Sequence, residues 1–196
     1  MERQTTEIRQ EQIKKAVLDI IFKDGLNQLS TRNLANRVGI TEGAIFRHFK
    51  SKRDIMLGIM QDVKTDLIGE MRKIALGAEE SENKLFAFLC WHVKYLIDNK
   101  GITILLFSEA AHMNDKELKD NLHEILAEQK SLFSKIIRDG MTEGLWNKKL
   151  AVDDIATIYM GIPITLNIEM ILNKDQFEIH NFCKRMFSLM QRMLLK

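Results

Sequence analysis

Two short motifs that pair a carboxylate with a histidine are the first candidates for chemistry in this sequence. Glu109 precedes His112 by three residues, and Asp120 precedes His123 by the same spacing. Three residues apart on a helix, the two side chains share a face, and paired Glu-x-x-His motifs hold di-iron centres in four-helix bundles. The second motif has the shorter aspartate, and the two additional inward glutamates of such a centre are not evident. A metal-binding, di-iron-like helical bundle is therefore only an alternative interpretation of this protein's function. We expect no metal site.

Aromatic residues form a second candidate site. Phe88, Trp91, His92 and Tyr95 occupy positions 0, 3, 4 and 7 of one helical face. An apolar face with a few polar groups is typical of a pocket for a small apolar or amphipathic ligand, although an ordinary core has the same pattern. The imidazole of His92 requires a polar partner, either a ligand or a buried carboxylate. A filled core here would instead favour a response to a protein partner. The residues expected to face this stripe are Phe107, Phe133 and Tyr159.

Composition limits the remaining classes. Residues 1–56 contain 11 Lys and Arg against 7 Asp and Glu, which indicates weakly that this end contacts a polyanion. No secretory signal and no run of 18 apolar residues occur, so we expect a cytoplasmic protein without a membrane partner. Cys90 and Cys183 are then expected to be free thiols. No Ser-His-Asp, Cys-His, P-loop or Rossmann pattern occurs, so we predict neither catalysis nor a cofactor.

The positions of apolar residues predict an all-α fold, because the chain has one proline and no strand-like alternation. We place a DNA-binding domain in residues 1–52 and a helical body in residues 53–196. The predicted helices span residues 7–23, 31–38, 42–48, 52–76, 82–99, 102–112, 115–139, 153–172 and 175–195.

Residues 30–49 have the pattern of a helix-turn-helix. Ser30 and Thr41 are suited to cap two short helices, and Gly39 permits the positive φ of a sharp turn between them. Apolar residues at helical spacing form the face on which the two helices meet. These residues are Leu34, Ala35, Val38, Ile40, Ile45 and Phe49.

On these residues the sequence resembles the tetracycline-repressor (TetR) family of bacterial regulators. The resemblance implies a three-helix DNA-binding domain and a helical C-terminal domain that binds a small effector and forms a homodimer. It also implies a sequence-specific transcription regulator, usually a repressor, that binds a near-palindromic duplex operator. The matching residues are Thr31, Leu34, Ala35, Val38 to Thr41, Gly43, Ile45, Phe46, His48, Phe49 and Lys52.

The resemblance implies that the second short helix enters the major groove by its N-terminal end. Gly43 and Ala44 allow the backbone close to the bases, and Ala44 also suits contact with a thymine methyl. Glu42 suits a cytosine amine, and Arg32 has the fork that binds guanine. Phe46 stands where the family commonly has tyrosine, so its ring keeps the packing but cannot donate to phosphate.

Other polar residues of the motif are implied to hold the DNA backbone. Lys52 lies at a predicted helix N-terminus, where free amides already favour an anion. Arg47 suits either a phosphate or a base. The remaining implied phosphate contacts are Thr31, Thr41 and His48.

The last two predicted helices carry wide apolar stripes. Two wide stripes on adjacent helices bury more than one neighbour requires, which favours a four-helix bundle between two subunits. An intramolecular core for one of the stripes is the alternative. The predicted interface residues are Ile155, Ile162, Leu166, Phe182, Met186, Leu189, Met190 and Met193.

Overall fold

The computed structural model describes residues 5–100, 102, 105–107, 115–173 and 180–195. No strand occurs among them, which confirms the predicted all-α fold. The first five helical elements are α1 (Thr6–Asp24), a 3₁₀ turn (Leu26–Gln28), α2 (Thr31–Val38), α3 (Glu42–His48) and α4 (Lys52–Asp62).

The helices of the body also follow the predicted order. The predicted helix 102–112 and the predicted start at residues 175–179 lie largely or wholly outside the described residues. The elements of the body are a π-helical segment (Val63–Ile68), α5 (Gly69–Leu76), α6 (Ser81–Asp98), α7 (Lys116–Thr142), α8 (Val152–Leu172) and α9 (Phe182–Leu194).

By contacts, the chain divides into two compact units. The first contains residues up to Asp62 and the described part of 99–122, and the second contains residues 63–98 and 123–196 as far as described. The first unit therefore includes the start of α7 together with α1 to α4. The domain boundary after Lys52 stays a prediction.

The first unit is built on α1, which contacts α2, α3 and α4. Ile13 and Ile20 are fully buried on its inner face, as the helical spacing predicted. Lys14 is also buried, and its ammonium donates to Asp62 at 2.7 Å and pairs with Glu11. Burial of a lysine is tolerated only with such partners, so this ion pair fastens the end of α4 to α1.

The long helix predicted over residues 52–76 contains a π-helical segment that the sequence did not indicate. Leu67 lies inside this segment, and its carbonyl accepts a hydrogen bond from the Trp91 indole at 3.3 Å. A backbone carbonyl has two lone pairs, so the indole adds a side-chain donor to this segment and ties α6 to it.

The loop after α7 contains a core residue of the second unit. Trp146 was predicted to lie in a loop and does so, yet its ring is 2% exposed. The ring covers Gly140, where a Cβ atom would lie 2.3 Å from the indole. A glycine is therefore required in this turn of α7, and the packing of the Trp146 ring on Gly140 fixes the loop to the helix.

One described helix, α8, is long and apolar enough to cross a membrane by length and composition alone. Its buried side contributes Tyr159 and Leu166 to the core of the second unit. This is the pattern of a core helix as well as of a membrane span, so the finding is weak evidence for a membrane.

Candidate nucleic-acid interface

The two short helices of the motif begin at the predicted caps. The Ser30 hydroxyl accepts from the Asn33 amide at 3.1 Å, and the Thr41 hydroxyl accepts from the Ala44 amide at 3.2 Å. Gly39 adopts φ +74° between the helices, in the left-handed region that glycine enters without steric cost. Local sequence therefore defines both ends of the turn.

The helix α4 starts in the same way. The Ser51 hydroxyl accepts from the Asp54 amide at 3.2 Å and donates to the Asp54 carboxylate at 3.0 Å. The Ser51 hydroxyl therefore caps the first turn of α4 and also orients the Asp54 carboxylate. Lys52 is exposed in this first turn of α4.

One side of α3 is exposed and the other is core. Ile45 is buried, whereas Thr41, Glu42, Gly43 and Arg47 are exposed, and Ala44 is half-buried. A seven-residue helix with one anchored face presents its other face as a rigid surface. The proposed base-reading residues of α3 thus lie on one accessible side of the helix.

A cleft of about 310 Å³ joins α2, α3 and α4. Thr31, Phe46 and Lys52 line it together with Ser51. The Phe46 ring is 52% exposed, which is unusual for a phenylalanine in a well-packed unit. The fold therefore brings two predicted phosphate ligands and this aromatic ring to a common surface.

Arginines in the first unit fall into two groups. Arg37 pairs with Asp19 and Asp24, and Arg53 pairs with Asp115 and Glu117. The Asp115 and Glu117 carboxylates raise the pKa of Arg53, and the guanidinium lowers the pKa of Asp115.

Two other arginines of the helix-turn-helix, one on α2 with Arg37 and one on α3, lack such partners. Arg32 and Arg47 are exposed and have no ion pair with any residue that the structure describes. An arginine that the protein leaves without a carboxylate keeps its full charge and fork for an external anion.

His48 ends α3 close to this surface. Its carbonyl accepts from the Gln10 side chain at 3.0 Å, which ties α1 to the end of α3. The Nδ1 atom is buried and has no hydrogen-bond partner in the structure. The ring is half-buried overall, so its phosphate role stays a prediction.

The aromatic stripe predicted as a pocket is packed core in the second unit. Phe88, Phe133 and Tyr159 are fully buried, and the last two rings stack with centroids 4.1 Å apart. Phe88 contacts both rings. The three rings therefore pack on one another in the core of the second unit, and their role in ligand binding stays a prediction.

The polar partner of His92 is Tyr159, which the sequence placed opposite this stripe but did not identify as a hydrogen-bond partner. The His92 Nδ1 atom lies 2.6 Å from the Tyr159 hydroxyl, and both side chains are buried. Desolvation lowers the pKa of His92 to about 3, and burial raises the pKa of Tyr159. The pair is therefore neutral at physiological pH, where neither a ligand nor a carboxylate is needed to satisfy the imidazole.

The other predicted pocket residues differ in environment. Tyr95 is buried, whereas Trp91 is half-buried and donates to Leu67. Phe107 belongs to the first unit and is 39% exposed. Among the predicted pocket residues of the second unit, Trp91 alone keeps partly exposed surface.

The predicted dimer residues divide between core and surface. Ile155, Leu166, Phe182 and Met190 are buried inside the protomer, and their place in an interface stays a prediction. The sequence could not separate the two sides of each stripe, because both sides of α8 are apolar. The residues that keep accessible area are Ile162, Met186, Leu189 and Met193.

An uncharged face of α8 was missed by the sequence reasoning. Ile158, Ile164, Ile168 and Leu172 are between 41 and 73% exposed. Gly161 lies on the same side, and a Cβ atom there would meet nothing within 4 Å. The signal was present, since residues 155–168 contain no charged side chain.

Two further expectations concern metal and thiols. Asp120 and His123 are exposed on α7, and no cluster of metal-ligating side chains occurs among the described residues; Glu109 and His112 lie outside them.

Cys90 and Cys183 were expected to be free, but they form a disulfide between α6 and α9. Sequence separation of 93 residues hides such a pair from local patterns.

A capped helix-turn-helix on an all-helical chain defines a DNA-binding regulator. Residues 14–59 match the family described as "Bacterial regulatory proteins, tetR family", and residues 60–193 match "YsiA-like protein, C-terminal region". Because these matches cover most of the chain, it belongs to the TetR family of DNA-binding transcription regulators. The resemblance seen in the motif is thereby confirmed.

Two curated relatives extend over most of the chain. A nucleoid occlusion factor, SlmA, from Vibrio cholerae is 23% identical over 67% of both chains. The fatty acid metabolism regulator protein of Bacillus subtilis is 24% identical over 86% of both chains.

Solved structures agree on the fold. The MbdR regulator from Azoarcus sp. CIB has a TM-score of 0.81 at 20% identity, with 96% of this chain and 100% of that chain covered. The regulator FadR from Bacillus subtilis, in complex with stearoyl-CoA, has a TM-score of 0.71 at 19% identity, with 92% and 96% covered.

Proposed function

We propose that this protein is a cytoplasmic, homodimeric repressor that binds a near-palindromic operator through α2 and α3. The observation that carries the proposal is the pair of exposed arginines without carboxylate partners, Arg32 and Arg47, on the helix-turn-helix. The neighbouring Arg37 and Arg53 are neutralised by carboxylates. Two arginines without carboxylate partners on one surface provide affinity for phosphate, and their guanidinium forks can bind guanine.

Operator selection followed by titration tests this interface. Arg32→Ala should cost about 1–3 kcal/mol at one base pair of each half-site and relax the preference there. Lys52→Ala should weaken all sequences alike and reduce the magnitude of the salt slope by about 1. Arg138→Ala, which removes an exposed arginine from α7, is the matched control and should change neither quantity. Absence of sequence enrichment and of salt dependence would refute DNA binding through this surface.

The uncharged face of α8 supports the homodimer. Residues 155–168 of α8 contain no charged side chain, which is typical of a buried helix, yet Ile164 and Ile168 are exposed in the protomer. Gly161 costs a mid-helix position about 1 kcal/mol relative to alanine, and no neighbour within the protomer requires it. Close approach of a helix from a second copy would account for both the exposed isoleucines and the glycine.

Sedimentation at micromolar concentration tests the dimer. Ile168→Glu places a charge in the proposed interface and should yield a folded monomer that has lost operator affinity. Leu76→Glu is the control, because Leu76 is 60% exposed at the end of α5, outside α8 and α9. A wild-type monomer, or an unchanged dimer in the Ile168→Glu variant, would contradict the proposal.

For the effector we propose a long-chain acyl thioester bound by the second unit. Support comes from the relative named as a fatty acid metabolism regulator and from the stearoyl-CoA complex of a protein with the same fold. Because Phe88, Phe133 and Tyr159 fill one another's contacts, the acyl chain would bind beside this cluster, where Trp91 keeps accessible surface.

Stearoyl-CoA should weaken operator binding, and operator should weaken stearoyl-CoA binding by the same factor. Coenzyme A without the acyl chain is the control and should have little effect, because it lacks the apolar surface that gains by burial. Trp91 fluorescence, isolated as the difference between wild type and Trp91→Phe, should change on binding. Acyl-CoA binding without a change in operator affinity would refute the effector role.

A regulator that answers a protein partner is the second candidate. The mutual packing of Phe88, Phe133 and Tyr159 supports it, because side chains that pack on one another are typical of a core. Operator binding that ignores stearoyl-CoA and free fatty acid, in protein that binds DNA with the predicted salt dependence, would favour this candidate over the acyl thioester.

A further inference from the structure

The helices α6 and α9 pack antiparallel in a single register. Cys90 pairs with Cys183, and one turn along the helices Phe86 contacts Phe187 with ring centroids 5.0 Å apart. A further turn along, the Gln191 side chain donates to Glu82 at 2.7 Å. Successive pairs are separated by four residues on each helix, so the cysteine pair forms one end of a continuous ladder.

The cysteines hold the end of this ladder at which α9 begins. Asn181, at the cap position, has φ +58° and provides no side-chain cap. The first turn of α9 has no acidic residue and contains Lys184 and Arg185. Cations at a helix N-terminus oppose the helix dipole, so this end of α9 is intrinsically weak and depends on its contact with α6.

The same surroundings favour oxidation of the pair. A helix N-terminus and adjacent cations stabilise a thiolate, which is the nucleophilic form of cysteine. Cys183 is the second residue of α9, and Cys90 lies in the middle of α6, away from any helix end. Both side chains are half-buried, so a small oxidant or reductant can reach them, and their Cα atoms are 5.1 Å apart. A separation of 4.4–6.8 Å accommodates a disulfide without backbone movement.

We propose that Cys90 and Cys183 form a redox modification site at which peroxide reversibly closes a disulfide between α6 and α9. The Cys183 thiolate attacks peroxide: an S–O bond forms, the O–O bond breaks, and the hydroxide that leaves takes up a proton to become water. Sulfur is oxidised by two electrons and peroxide is reduced. The Cys90 sulfur then attacks the sulfenic acid, an S–S bond replaces the S–O bond, and a second water leaves with the Cys90 proton. An external dithiol reverses the reaction and is itself oxidised to a disulfide.

The functional consequence rests on the proposed dimer. The helix α9 carries Leu189 on its exposed side, next to the half-buried Met186 and Met193. Closing the disulfide fixes the start of this helix in its register on α6. The oxidised protein should therefore form the tighter dimer and, through it, bind operator more tightly than the reduced protein.

Wild-type protein tests the site without any substitution, because reduction with dithiothreitol produces the unbonded state. After treatment with hydrogen peroxide and desalting, alkylation should label neither cysteine. The Tm should exceed that of reduced protein by about 5–15 °C, as expected for a cross-link that closes a loop of this length. Two thiols that remain available to alkylation, or equal Tm values, would overturn the modification site.

Serine variants identify the attacking sulfur. After peroxide, Cys90→Ser should retain a sulfenic acid at Cys183 that dimedone traps, and Cys183→Ser should give little adduct. Equal trapping in both variants would contradict the assignment of Cys183 as the nucleophile.

The coupling to assembly has a separate readout. The dimer dissociation constant from sedimentation should fall about fivefold or more on oxidation. An equal or larger constant would refute the coupling, whereas a protein that is monomeric in both states would refute the proposed dimer and leave the alkylation result unaffected.

Discussion

Polar side chains have opposite environments in the two units of this protein. In the first, Arg32 and Arg47 are exposed without an ion pair on the motif surface, although Arg37 and Arg53 bind carboxylates nearby in the chain. In the second, His92 and Tyr159 satisfy each other inside the core, while an uncharged face of α8 remains exposed. Unsatisfied charge marks a surface for an anion, and uncovered apolar area marks a surface for another protein.

The difference has an energetic origin. An exposed guanidinium is solvated and costs little to keep available, so a DNA-binding surface can be maintained without partners. A buried imidazole without a partner would lose the solvation of its nitrogen atoms, so His92 persists in the core only as a neutral, paired ring. Charge in the first unit is therefore available for binding, and polarity in the second unit serves packing.

The largest expected effect concerns the packing of the second unit. Gly140→Ala would place a Cβ atom 2.3 Å from the Trp146 ring and should lower the free energy of unfolding by about 2–3 kcal/mol. Thermal unfolding should show a Tm lower by about 5–10 °C. Gly69→Ala is the matched control in a helix, because its Cβ would meet only the Lys64 carbonyl oxygen, at the ordinary contact distance of 3.8 Å. Equal Tm values for Gly140→Ala and wild type would show that the Trp146 loop is not fixed by α7.

The next effect is a pH dependence of stability that originates in the second unit. The folded protein holds the pKa of His92 at about 3, whereas an unfolded histidine has a pKa near 6.5. Below pH 6.5 the unfolded chain binds a proton at His92 that the folded protein does not bind. The contribution of His92 to the free energy of unfolding is therefore present above that pH and is lost as the pH falls towards 3. From pH 7 to pH 5 the unfolding free energy should fall by about 2 kcal/mol.

Urea titrations at the two pH values measure this loss. His92→Gln, which keeps a polar group for Tyr159 but does not titrate, should remove most of the difference. His180→Gln, at an exposed histidine, is the control and should keep the wild-type dependence. A His92→Gln variant with the wild-type pH dependence would exclude the buried pair as its source.

A smaller effect concerns the π-helical segment. Trp91→Phe keeps a ring of similar character but removes the donor to the Leu67 carbonyl, and should cost about 1 kcal/mol of stability. Hydrogen exchange should accelerate at the amides of Val63–Ile68 and remain unchanged in α3, which belongs to the first unit. Uniform acceleration, or none, would mean that the indole does not hold this segment.

The smallest effect belongs to the first unit, where charges are exposed. The guanidinium of Arg53 lowers the pKa of Asp115, so the pair stabilises the fold above the ordinary carboxyl pKa of about 4 and loses this contribution at lower pH. Asp115→Asn should therefore lower the urea midpoint slightly at pH 6 and by less at pH 3. Asp120→Asn, at an exposed carboxylate on the same helix, should differ at neither pH.

The sequence by itself determined the DNA-binding motif and the helical class. Ser30, Thr41 and Ser51 cap helices because their hydroxyls bond amides three residues later, a contact that spacing alone specifies. Gly39 and the apolar positions of α2 and α3 are equally local. For this reason the bounds of α2 and α3 could be predicted from the sequence.

Only the tertiary structure decided the organisation of the second unit. The partner of His92 lies 67 residues away, and that of Cys90 lies 93 residues away. Which side of α8 is core, and that Trp146 is buried from a loop, depend on neighbours that no helical period specifies. Helical spacing defines a face of one element, but the residue opposite that face is set by packing between elements distant in sequence.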